Sequence, residues 1–504
     1  MNSIIRNKLM ALLFIFTLLG CGKYLDEMPQ NQLKPATVDD YSQLLNKAYI
    51  TKQVMPYLDI LSDDVALIAS DHVMNGPDYG DVLVSAYMWE DAHESTMTNG
   101  DIAFEAFYES IFYCNLVIEN IDDALGTVND ETLVRITKTN IKGEALVLRA
   151  YSYFHLVNLY AKAYDPNTAD EDPGIPLNLD ANAAAKDYTR NSVAEVYEQI
   201  KDDLLEGIKL LEENELNKTI FQFDAFKAKA FLSRVYLYMH DYDKAIECGE
   251  YVLSKNSNIY NLQKAGETLN ESNNTGTIWV NEGALNATYT NYLSKDHPNV
   301  LFVNGIHELL PSLAFWPFAT TFSVNRELAG LYEINDVRRF AFFYTYQRDT
   351  YSGFREKFSY AKTKHTLSDY YSPGAAAGQT RVLRVEEILL ILAESYARKG
   401  DISTAIKYLN QLREPKFRTG TYIPLGASNF NSSTIIDFIM LERRRELCFE
   451  GHRWFDLRRT TRPAMSRVGY DGQVATLKEN DPKYVLQIPQ KELLVNPKIE
   501  VNPR

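Results

Sequence analysis

The chain has 504 residues and a formal net charge of −15. Its composition, 45% apolar and 24% charged, is that of a folded protein and excludes low-complexity disorder, collagen-like repeats and a polytopic membrane protein. Acids outnumber bases 67 to 52 and no long basic run occurs, so no nucleic-acid partner is expected.

The first twenty residues read as an address. Arg6 and Lys8 precede an apolar run, Leu9 to Leu19, that is too short to span a bilayer. Leu18-Leu19-Gly20-Cys21 is the pattern of a bacterial lipoprotein signal. We therefore expect residues 1–20 to be removed and Cys21 to carry acyl chains that hold residues 21–504 to a membrane surface. The remaining cysteines, Cys114, Cys248 and Cys448, are odd in number and lie in apolar helical patterns, which predicts buried free thiols. No Cys/His cluster suggests zinc, and neither a metal nor a cofactor is expected.

Beyond this signal, most of the chain is patterned as helix. Asp101 to Asp123 carries Phe104, Phe107, Ile111, Cys114, Ile118 and Ile121 at three- and four-residue steps. Thr132 to Tyr164 predicts one long helix or a helix pair. Asp172-Pro173-Gly174-Ile175-Pro176 stops any helix. Ser192 and Glu195 have capping-box spacing for a helix running to about Leu211. Phe223 to Met239 and Tyr242 to Leu253 form a helical hairpin of tetratricopeptide type, and Ile388 to Arg413 reads as a second copy. Ala245 and Ala405, after the two turns, stand 160 residues apart, whereas tandem repeats would recur near 34. The predicted fold is thus mainly α, with a helical scaffold over about 21–255 and 380–460. A loop-rich insertion over about 256–379 interrupts it, with short strands such as Thr277 to Val280 and Arg339 to Tyr346. Tyr484 to Pro489 is a further short strand candidate.

Catalytic signatures are missing: no GxSxG, HExxH, Walker loop or GxGxxG occurs. The pairs Asp63-Asp64, Asp122-Asp123 and Asp202-Asp203 read as solvated faces rather than as a glycosidase pair. The acids between Asp165 and Asp172 read as a solvated turn, because they lack calcium-loop spacing. Glu442 to Arg458 is dense in arginine and glutamate at i,i+3 and i,i+4 spacings, and the preferred reading is an ion network that locks this helix in place.

Binding features are clearer. Sugars present an apolar CH face, which a flat aromatic covers, and a rim of hydroxyls for Asp, Asn and Arg. Two stretches supply both. One is Tyr57 to Trp89; the other is the insertion. Trp89 and Trp316 are the expected stacking platforms. Asp64 and Arg355 are the expected polar contacts, with Tyr87, Tyr289 and Tyr292 alongside.

Several motifs then point to a family. Glu442-Arg443-Arg444-Arg445-Glu446-Leu447-Cys448-Phe449-Glu450-Gly451-His452-Arg453-Trp454-Phe455-Asp456-Leu457-Arg458-Arg459 resembles the hallmark of the SusD/RagB family. Leu148 to Phe154, Arg381 to Ile388 with Ala393-Glu394, and Gln487 to Leu493 with Asn496-Pro497 resemble its other segments, in the same order. The resemblance implies outer-membrane lipoproteins of Bacteroidetes, displayed on the cell surface. They are binding proteins, not enzymes, with a tetratricopeptide-type scaffold and a variable loop-rich half. It implies a glycan ligand, or a peptide in the RagB branch, and a SusC-like TonB-dependent transporter as partner. A surface glycosidase is the rival of another class.

Overall fold

A computed structural model describes residues 35–50, 54–55, 57–67, 84–90, 102–181, 188–263, 297–304, 322–349, 355–361, 382–469 and 472–504. The longer helices are α1 (Val38–Ala48), α2 (Ile102–Asn120), α3 (Glu131–Tyr160), α4 (Val193–Glu213), α5 (Ala225–Tyr238), α6 (Tyr242–Lys255), α7 (Val385–Arg398), α8 (Ile402–Arg413), α9 (Ser432–Leu447) and α10 (His452–Arg459). The strands are β1 (Val65–Leu67), β2 (Val300–Val303), β3 (Phe322–Val324), β4 (Phe343–Asp349), β5 (Arg355–Ala361), β6 (Val382–Arg384), β7 (Met465–Val468) and β8 (Val474–Leu477). They form antiparallel pairs: β1 with β3, β2 with β6, β4 with β5, and β7 with β8.

The helices begin where local chemistry favours a start. Ser192 and Glu195 form the predicted capping box of α4. The stretch from Thr132 resolves as one helix, α3, capped by Asp130. The two hairpin turns are near copies. Asp241 caps α6 at φ −85° and ψ 76°, and Asp401 caps α8 at φ −85° and ψ 75°. The residue before each cap is left-handed: Gly400 at φ 88°, but His240 at φ 62°. Glycine takes that conformation without strain and histidine does not.

Successive helices from α1 to α9 pack on one another, and the order holds across the insertion, because α6 lies directly against α7. A Cβ on Gly249 of α6 would stand 2.9 Å from Leu392 of α7. Ala245 and Ala405 are fully buried, as small residues at helix crossings should be. The two hairpins are therefore spatial neighbours although the sequence separates them. Part of the insertion also belongs to the core. β2 is buried and pairs with β6, and Phe302 stacks on Phe223 at 3.9 Å.

Elsewhere α3 and α4 touch backbone to backbone. A Cβ on Gly207 would lie 2.8 Å from the Gly143 carbonyl and 2.8 Å from Val147. Gly207→Ala should therefore lower stability by about 1–3 kcal/mol in urea unfolding. An unchanged midpoint would mean that the two helices can separate freely.

Buried arginine–carboxylate pairs tie the helices together. Arg149 of α3 holds Asp203 of α4 at 2.7 and 2.8 Å. Arg234 of α5 holds Glu387 of α7 at 2.6 Å through both nitrogens. Arg459 of α10 holds Glu394 of α7 at 2.7 Å. These pairs correct the reading of Asp202-Asp203 and Asp63-Asp64 as solvated faces, since Asp203 and Asp64 are buried. Asp122 is the exposed case, paired with Lys142. Cys114 and Cys448 are buried free thiols and Cys248 is half-buried. Arg339 to Tyr346 begins as helix and becomes strand only at Phe343. Tyr484 to Pro489 contains no strand; Pro482–Tyr484 is a 3-10 turn, and Tyr484 stacks on Trp454 at 5.0 Å.

Candidate ligand-binding face

The two aromatic-rich stretches of the sequence meet in space. β1 follows directly on Asp63-Asp64, and β3 lies within the insertion. They pair antiparallel, with Leu67 opposite Phe322 and Val65 opposite Val324. The Asn325 N–H adds a bond to the Asp64 carbonyl at 2.8 Å. Tyr87 completes the junction: its ring lies 5.5 Å from Phe322, and its hydroxyl accepts from the Leu67 N–H at 3.3 Å.

Under this junction sits a guanidinium that sequence reasoning missed. Arg467 of β7 lies between the rings of Tyr87 and Trp89, 4.4 and 4.2 Å from their centres. It donates to the carbonyls of Ile60 and Tyr87 at 2.8 Å, of Leu61 at 3.1 Å, and of Ser62. Burial lowers its pKa to about 10, against the pull of Tyr87 and Asp63. Four carbonyls and two π faces replace the carboxylate it lacks. The only hint in sequence is an arginine inside Met465-Ser466-Arg467-Val468, a short run otherwise suited to a strand.

Trp89 is 3% exposed, and its indole N–H donates to the Leu61 carbonyl at 3.0 Å. Its backbone is left-handed, at φ 50°. This placement corrects the expectation that Trp89 is an open stacking platform, because the ring is buried, one face meets Arg467 and the polar edge is already used. Asp64 is fully buried and accepts from Arg444 Nε at 2.6 Å. Burial pushes its carboxyl pKa up even though Arg444 opposes the shift. Tyr87 is 5% exposed. Asp64 and Tyr87 thus support the face from beneath and do not present polar groups to a ligand. Asp63 beside them holds Arg453 through both oxygens at 2.7 and 2.8 Å. The backbone of Arg355 opens β5, opposite Asp349. Trp316, Tyr289, Tyr292 and Cys21 lie outside the described residues, as does the Thr277 to Val280 strand.

The arginine-rich run is the centre of the scaffold. Arg384 reaches Glu446 and Glu450, each at 2.7 Å. Arg338 reaches Asp336 at 2.7 Å, Glu442 at 2.7 Å and Glu446 at 2.9 Å. Arg443 holds Asp456 at 2.9 Å. Arg445–Glu442 and Arg459–Asp456 keep the local i,i+3 spacing. The remaining pairs mostly join different elements, so the network locks the helix as expected, but largely through long-range partners.

Among the described residues, no helix is long and apolar enough to cross a membrane, and no group of three or more His, Cys, Asp or Glu could hold a metal ion.

A family model described as starch-binding, associating with outer membrane, matches residues 23–237. A second, described as the SusD family, matches residues 343–504. The chain belongs to the SusD/RagB family. The SusD-like protein P2 of Formosa agariphila is 24% identical over 481 residues, covering 90% of each chain. SusD-like protein P38 of the same organism is 25% identical over 442 residues, covering 80% of this chain and 79% of its own. Among solved structures, a SusD superfamily protein from Bacteroides thetaiotaomicron superposes with a TM-score of 0.67 at 22% identity, covering 93% of this chain and all of the other. A SusD-like carbohydrate binding protein from Bacteroides vulgatus gives 0.65 at 21% identity, covering 92% and 97%. The shared SusD fold is this helical scaffold with its few short strands.

Proposed function

We propose that this SusD-like protein is a surface lipoprotein, acylated at Cys21. It binds an oligosaccharide and delivers it to a SusC-like TonB-dependent outer-membrane transporter. The observation that carries the reading is the β1–β3 pairing, which joins the two stretches rich in aromatic and polar residues on one scaffold. The matched family's description as starch-binding and outer-membrane-associated supports both the ligand class and the location. The protein acts by equilibrium binding, not by catalysis. Trp89, Tyr87 and Asp64 are engaged in the scaffold, so we assign the stacking role to Trp316 and further ligand contacts to Tyr289, Tyr292 and Arg355. A shallow site of this kind binds at about micromolar strength or weaker, which allows release into a transporter.

Native gels containing a panel of polysaccharides, with a peptide mixture tested alongside, check this reading. Retardation by one glycan class is expected in the chain lacking residues 1–20. Trp316→Ala should weaken it by at least tenfold with the melting temperature unchanged. Peptide binding without any glycan retardation would sink the sugar reading.

A further inference from the structure

Ten arginines are buried among the described residues. Eight of them hold a carboxylate: Arg149, Arg234, Arg338, Arg384, Arg413, Arg443, Arg444 and Arg445. Arg467 has its four carbonyls and two rings. Arg458, in the last turn of α10, has neither arrangement. It is 3% exposed, and its one side-chain hydrogen bond among the described residues goes from Nη2 to the Ala161 carbonyl. Its Nε is shut off from solvent and unbonded.

Four residues later Arg462 repeats the deficit. Its Nε is also closed off and unbonded, and its side chain makes no hydrogen bond or ion pair among the described residues. Its backbone is held in a left-handed conformation, at φ 41°, by bonds from its N–H to the Leu457 carbonyl and from the Asn480 N–H to its own carbonyl, both 2.9 Å. Such strain in a non-glycine residue persists only where surrounding structure enforces it. The two guanidiniums lie within each other's electrostatic reach. Burial, with Arg462 adding to it, lowers the Arg458 pKa to about 10 against the pull of the Tyr197 and Tyr238 phenols. A buried cation without a counter-charge is costly, and a second cation beside it adds to the cost.

We propose that Arg458 and Arg462 form a binding site for a small oxyanion, a phosphate or carboxylate group, separate from the sugar-binding face. Two guanidinium forks can share the oxygens of one such group through charge-assisted hydrogen bonds. A water molecule would satisfy an N–H but bring no counter-charge to the buried Arg458. Arg458 is buried and Arg462 half-buried, so an anion would reach the pair from the Arg462 side. The Asp165 carboxylate is near enough to Arg462 to feel its charge.

Calorimetric and thermal titrations of the mature chain carrying Cys21→Ala test the site, with inorganic phosphate and glucuronate as separate probes at constant ionic strength. Saturable binding of one anion per chain is expected, and the probe that binds tighter identifies the group. Arg462→Gln should weaken it at least tenfold with the helical circular dichroism intact. Asp165→Asn should tighten it severalfold, because it removes a competing charge. An identical response in wild type and Arg462→Gln, or no response to either probe, would overturn the proposal.

Discussion

Glu442→Gln is expected to destabilise the protein by about 3–5 kcal/mol in urea unfolding at pH 7. The carboxylate is fully buried, with Arg338 Nη1 at 2.7 Å, Arg445 Nη1 at 2.9 Å and Arg413 also bonded to it. Glutamine preserves the shape and one acceptor but leaves these arginines with less opposing charge. Burial alone would raise the Glu442 pKa, but Arg338, Arg413 and Arg445 outweigh it and lower it to about 2 from 4.5. A depressed carboxyl pKa fixes the sign. The stabilisation is complete above the unfolded value of about 4.5 and is lost as pH falls toward 2, about 3 kcal/mol in all. The gap between wild type and variant should therefore narrow between pH 7 and pH 3. A gap that stays constant over that range would mean the lost stability does not come from this charge.

Trp89→Ala carries the other large effect, a loss of about 3–5 kcal/mol. The substitution empties a buried site, removes the bond to the Leu61 carbonyl and uncovers one face of Arg467. On the proposed reading, polysaccharide retardation should weaken in step with the fall in melting temperature, since the floor of the proposed face is disturbed. Trp316→Ala, on the proposed reading, does the reverse: binding falls and stability holds. If Trp89→Ala melted like wild type and still lost retardation, its ring would have to be a direct ligand contact.

The scaffold was largely legible in the sequence because its helices obey local rules. Period-3.6 stripes, the Ser192–Glu195 box and the two Ala-bearing hairpins need no knowledge of distant residues. The misread acids and Trp89 share one physical origin, which is long-range pairing of polar groups. Asp64 and Asp203 look like solvent-facing acids until Arg444 and Arg149 arrive from other helices. Trp89 looks like a platform until Arg467, 378 residues later in the chain, closes over it. Nothing in a sequence window reports such partners. The same limit hid β2, whose burial depends on β6, and Phe302, whose stacking partner lies on the scaffold side at Phe223.

The pairing of Asp63 with Arg453, of Asp64 with Arg444, and of residues 60–62 with Arg467 also bears on how the chain is made. A polypeptide leaves a ribosome or a translocon N-terminus first. The Asp63 and Asp64 carboxylates and the carbonyls of residues 60–62 therefore wait for these partners until residues 444–467 have emerged. Helix pairs such as α3–α4 can form early, because their partners are close in sequence. The proposed ligand-binding face cannot form until then, because Arg467 beneath it belongs to β7. Contacts of such long sequence separation fold slowly and leave apolar surface exposed in the interval. A chain cut short before Arg467 should retain helix yet be sensitive to protease around Trp89. Emergence of Arg467 would then act as the checkpoint for this part of the fold.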